Sequence, residues 1–98
     1  MDVIRHVFVR GRVQGVGYRV WTEYTALERG VQGWVRNRRD GSVEALFAGD
    51  PDAVAAMIAI CSKGPPGSRV ESVDQRDGTR VELALIRPGE LFSILGNA

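Results

Sequence analysis

The sequence predicts a small α+β sandwich, an antiparallel sheet with two helices packed on one of its faces. Three observations carry this reading. Short Val- and Phe-rich stretches with strand patterning are interspersed with two longer stretches of helical period. Glycine and proline clusters punctuate the boundaries between them. A chain of 98 residues can close one hydrophobic core but not two, so residues 1–98 are expected to form one domain.

From Ile4 to Arg10, Val7 and Val9 share one side of a pleat, which predicts a first strand. Glycines at 11, 15 and 17 follow, and Tyr18 to Arg29 then places Val20, Tyr24 and Leu27 at the i, i+4, i+7 spacing of a buried helix face. Gly30 suits a left-handed helix end. Gly33–Asn37 and Ser42–Ala48 bracket Asp40-Gly41, a turn signal that predicts two antiparallel strands. Asp50 can cap a second helix with Pro51 at its first position. Val54, Met57, Ile58 and Cys61 form the buried stripe of that helix, and Gly64-Pro65-Pro66-Gly67 stops it. Arg69 to Gln75 reads as a fourth strand. Beyond it two readings stand open: a hairpin through Asp77-Gly78 into Val81–Ile86, or a short closing edge strand at Phe92–Ile94. Strand, helix, strand, strand, helix, strand is the order of a ferredoxin-like sandwich.

Composition narrows the function. Thirteen basic and twelve acidic residues leave a net charge of +1, so no global field draws the chain to nucleic acid or to an anionic membrane. One cysteine and one histidine exclude an internal disulfide and a zinc site built on Cys and His. No apolar run approaches the roughly 20 residues of a membrane span. The N-terminus carries Asp2, Arg5 and Arg10 and lacks the plan of a secretory signal, so a cytoplasmic location is expected.

The stretch that carries chemistry is GRVQGVGYR, Gly11 to Arg19, between the first strand and the first helix. Its glycines let the backbone curl so that successive amides point inward as an anion nest. The helix start adds partial positive charge. Arg19, in the first turn, can make two charge-assisted bonds to phosphate oxygens. The loop lacks the Gly-Lys-Ser/Thr ending of a nucleoside triphosphate loop and the third glycine of a dinucleotide fingerprint. It is built for a smaller anion.

Gly11–Arg19, together with GWVRN at Gly33–Asn37 and Asp40-Gly41-Ser42-Val43-Glu44, resembles the two signature blocks of the acylphosphatase family. The resemblance covers most of the chain, from the first strand to the fourth. It implies a ferredoxin-like fold and a cytosolic enzyme that cleaves carboxyl-phosphate anhydrides, releasing a carboxylate and inorganic phosphate, without metal or cofactor. It assigns the substrate phosphate to Arg19 and to the loop residues Gln14, Gly15, Val16, Gly17 and Tyr18. Asn37 is assigned the attacking water. A carboxylate leaves without needing a general acid, so positioning and charge stabilisation suffice. The protein is expected to be a monomer whose partners are a small acyl phosphate substrate and inorganic phosphate as product, with no nucleic acid and no membrane.

Other residues read more plainly. The side chains of Tyr18 and Trp34 are expected to pack. Cys61 lies on an apolar helix stripe, His6 in a strand, and Arg38 and Arg39 in a solvent-facing loop. An RNA platform would need several exposed aromatics on a basic face, whereas the first and third strands offer only Phe8 and Phe47. A domain that binds phosphate without turnover would use the same loop, but it would not need a water-orienting amide at Asn37.

Overall fold

The computed structural model covers residues 1–98. It contains β1 (Val3–Arg12), α1 (Tyr18–Glu28), β2 (Gln32–Asn37), β3 (Val43–Gly49), α2 (Pro51–Cys61), β4 (Arg69–Asp77), α3 (Arg80–Leu83) and β5 (Phe92–Ile94). The sheet order is β4-β1-β3-β2-β5. β1 pairs antiparallel with β3 and β4, and β2 pairs antiparallel with β3.

The β-α-β-β-α-β frame is the expected one, and the fold is ferredoxin-like. The sheet is mixed, however, because β5 runs parallel to β2. Of the two readings of the C-terminal third, the closing edge strand at Phe92–Ile94 is present. The hairpin into Val81–Ile86 is absent. The Gly78 amide instead donates to Ile4 O at 2.9 Å, and Thr79 caps α3 in a reciprocal capping box with Glu82. That box supplies the local hydrogen bonds that a hairpin would otherwise have made.

The core lies between the sheet and the two long helices. Val7, Val9, Val35, Val43, Ala45 and Phe47 point into it from the strands, and Val54, Met57, Ile58 and Cys61 enter from α2 as expected. Asp50 caps α2 by accepting from the amides of Asp52 and Ala53. α1 departs from expectation. Val20, Tyr24 and Leu27 are exposed, and the buried face is Tyr18, Thr22, Thr25 and Ala26. Both sets have helical period, so periodicity alone cannot choose between them. Burying the threonines costs little, because Thr22 Oγ1 donates to Tyr18 O at 2.8 Å and Thr25 Oγ1 to Trp21 O at 2.7 Å. At the C-terminus of α1, Gly30 at φ 70° lets Gly30 N reach Leu27 O and Val31 N reach Ala26 O, a Schellman closure that turns the chain directly into β2.

The opposite sheet face is covered in part by the connection from β4 to β5. Trp34 is buried there and donates from Nε1 to Glu82 O at 2.8 Å. His6 is buried beside it, with Nε2 2.6 Å from Glu44 and Nδ1 3.0 Å from Glu82. Burial works against ionisation of Glu44, but hydrogen bonds from Arg36 and His6 outweigh it and hold the carboxyl below its ordinary range. His6 is therefore a satisfied sheet residue that clips α3 onto the sheet.

Candidate active site

β1 ends at Arg12 and α1 begins at Tyr18, so the glycine loop joins an interior strand of the sheet to a helix start. Gly15 (φ 73°) and Gly17 (φ 79°) both adopt the left-handed conformation, and a Cβ on either would meet no atom within 4 Å. None of the backbone N–H groups from Gln14 to Val20 donates to an acceptor within the protein. Seven adjacent donors at one end of a helix constitute a strong field for an anion.

Arg19, half-buried in the first turn of α1, makes no ion pair within the chain. Tyr18 is anchored differently. Its ring is buried and its hydroxyl donates to Cys61 O at 2.6 Å, tying the start of α1 to the end of α2. Burial raises the phenol's pKa far above its ordinary value and pushes the Cys61 thiol up to about 12, so both groups stay neutral. The packing role expected of the Tyr18 and Cys61 side chains is what the geometry displays. Val16 likewise packs its side chain against the core.

Asn37, the last residue of β2, is only 8% exposed, and its Oδ1 has no hydrogen-bond donor in the protein. Its backbone is held on both sides. It is in register with Val43 of β3, and its carbonyl accepts from Ala98 N at 2.9 Å. A pocket of about 230 Å³ brings Asn37 together with Gln14, Gly15, Gly17, Tyr18 and Arg19. This is below the usual size of a drug-sized ligand site and suits a small anion. Val13, Val20 and Ile94 complete the lining. The sequence offered no sign of Ile94, which reaches the pocket only because β5 pairs with β2 at Val35.

Gln14 holds the loop in place. Its Nε2 donates to Arg38 O at 2.8 Å and to Ser42 O at 2.9 Å, so its amide side chain is bound to the β2–β3 turn. Arg38 points to the opposite sheet face from Asn37, as strand alternation requires, and its guanidinium lies 5.1 Å from the Phe8 ring. No group of three or more His, Cys, Asp or Glu side chains is placed to hold a metal ion. No helix is long and apolar enough to cross a membrane.

The class of protein this defines is a ferredoxin-like sandwich with a run of unpartnered amides at its first strand-to-helix junction, a geometry whose chemistry suits an oxyanion. Residues 5–83 match the family model described as acylphosphatase. An acylphosphatase of Bradyrhizobium diazoefficiens is 62% identical over 92 residues, covering 94% of this chain and 93% of the relative. Among solved structures, an acylphosphatase from Coxiella burnetii superposes with a TM-score of 0.82 at 28% identity, covering 96% of this chain and 93% of the other. The acylphosphatase from Bacillus subtilis gives 0.81 at 33% identity, covering 97% and 99%. The chain belongs to the acylphosphatase family. It is a hydrolase acting on acyl phosphates, with inorganic phosphate as a product.

Proposed function

We propose that Arg19 and the amides of Gln14, Gly15, Val16, Gly17 and Tyr18 hold the phosphoryl group while Asn37 presents the attacking water. The water oxygen adds to phosphorus as the bond from phosphorus to the acyl oxygen breaks, and the carboxylate leaves with the bonding pair. The water's proton passes to an oxygen of the phosphate itself. Arg19 and the cradle stabilise charge as it spreads over the equatorial oxygens.

One observation carries this assignment. The buried Asn37 Oδ1 has no donor in the protein, and Asn37 lines the same pocket as the free amides and Arg19. A buried acceptor of this kind is costly unless something donates to it, and a bound water does so. The amide can accept from that water through Oδ1 while its NH2 group faces the phosphate. The chain works as one monomeric unit over residues 1–98, with no metal or cofactor, and takes a free acyl phosphate in solution.

The test is hydrolysis of an aryl acyl phosphate at neutral pH with chelator present. Removing one preorganised donor costs about 10² to 10³ in rate, so Arg19→Ala falls by at least that factor. Arg19→Lys is also poor, because a point charge cannot replace a planar fork. Asn37→Ala retains competitive inhibition by phosphate while its turnover falls by about 10² to 10³. Phosphate binding without turnover by the parent protein would sink the catalytic reading and leave an anion-binding domain.

A further inference from the structure

We infer that the Gln14 side chain is a positioning residue, which sets the cradle against the water-orienting amide and is not itself a ligand of the phosphate. This rests on the role proposed above for Asn37. The resemblance groups Gln14 with the phosphate-binding loop, and its backbone amide is indeed free. The side chain is engaged elsewhere. Both protons of a primary amide can donate, and here Nε2 spans two carbonyls, Arg38 O at 2.8 Å and Ser42 O at 2.9 Å.

The location of those two carbonyls is the central point. Arg38 directly follows Asn37, and Ser42 directly precedes Val43, which is in register with Asn37. The Gln14 bonds therefore grip both arms of the β2–β3 turn, each one residue beyond a strand end beside Asn37. They are the only hydrogen bonds between the loop Val13–Gly17 and the turn Arg38–Ser42. The turn is itself stiff. Arg38 N donates to Ser42 O, Gly41 N to Arg38 O, and Asp40 accepts from both the amide and the hydroxyl of Ser42. A stiff turn transmits a displacement of the loop to Asn37, and the Gln14 bonds prevent that displacement. The phosphorus sits on one side of this brace and its nucleophile on the other. In-line attack depends on their separation, and a misplacement of about 1 Å can cost on the order of 10² in rate.

The experiment measures kcat, KM and the phosphate inhibition constant for the parent, Gln14→Leu, Gln14→Glu, Asn37→Ala and the Gln14→Leu/Asn37→Ala pair, each checked for cooperative unfolding. Gln14→Leu is expected to lower kcat about 10- to 100-fold while KM and phosphate inhibition stay within about twofold, since the cradle is intact. In the Asn37→Ala background the same change costs less than about twofold, because the group it positions is gone. Gln14→Glu adds a readout that a purely structural role would not move. Its carboxylate faces two carbonyl oxygens at neutral pH, and protonation returns one donor, so its kcat relative to the parent rises as the pH is lowered toward about 5.

Unchanged kcat in Gln14→Leu would overturn the inference, as would a phosphate inhibition constant that weakens in step with kcat. Additive losses in the pair would overturn it too. Turnover at the parent rate by Asn37→Ala would sink the role of Asn37 itself, and this inference with it. Lost turnover in Asn37→Ala with none lost in Gln14→Leu would remove the brace alone.

Discussion

Two glycines separate what the fold needs from what the site needs. At Gly33, in β2 with φ 149°, a Cβ would overlap the carbonyl oxygen of Leu46 and lie 2.8 Å from its carbon. Both are backbone atoms of β3, so no rotamer change relieves the clash and the strands must part. Holding an alanine in that conformation costs about 2 kcal/mol. Overpacking adds about 2 kcal/mol, for a total of about 4 kcal/mol. A domain of this size loses about 4–8 °C per kcal/mol, so Gly33→Ala should lower Tm by about 16–32 °C. Gly15, at φ 73°, has open space around it. Gly15→Ala meets only the left-handed penalty of about 1–2 kcal/mol, or about 4–16 °C. It nonetheless stands among the free amides, and misaiming even one of them should reduce kcat/KM by at least tenfold, with about 10² to 10³ for complete loss of a donor. Thermal melts by circular dichroism and turnover of an aryl acyl phosphate read the two effects separately. Equal Tm losses, or parent activity in Gly15→Ala, would refute the reasoning.

Three further outcomes are expected. Tyr18→Phe keeps the ring but leaves Cys61 O without its donor, costing about 1–3 kcal/mol in urea unfolding at constant m; an unchanged midpoint would show that this bond contributes nothing. Because hydrogen bonds from Arg36 and His6 outweigh burial and hold the Glu44 pKa below its ordinary value, its stabilisation is complete above the unfolded-chain value and is lost as the pH falls through the folded value. The parent's Tm should therefore decline more steeply on the acid side than that of Glu44→Gln, and parallel acid limbs would contradict the assignment. Tyr24→Gln and Leu27→Gln, on the exposed side of α1, should each change stability by less than about 0.5 kcal/mol, against about 2–5 kcal/mol for Met57→Ala in the core; a large loss at Leu27 would mean that this face is covered in solution.

The site was more legible than the surroundings that hold it. Gly15, Gly17 and Arg19 advertise themselves because the loop's chemistry is local: the left-handed residues, the free amides and the helix start all lie within a few positions. Asn37 could be singled out only through its resemblance to a signature block, since nothing in its neighbours distinguishes a water-orienting amide from a turn residue. The engagement of the Gln14 side chain was not legible at all. Its two acceptors lie 24 and 28 residues away and are backbone carbonyls, which leave no mark in residue identity.

By itself the sequence determined the order of the principal elements, their caps and stops, and the glycine-rich curl of the first loop. Each depends on interactions between near neighbours along the chain. The tertiary structure alone decided which side of α1 is buried, because Tyr18 bonding to Cys61 O sets the rotation of that helix against α2. It also decided that the last strand pairs parallel with β2, bringing Ile94 to the pocket, and that β3 and the Gln14 bonds hold Asn37 against the cradle. These outcomes compare contacts between segments far apart in the chain, and local periodicity carries no information about which of two acceptable faces or partners wins.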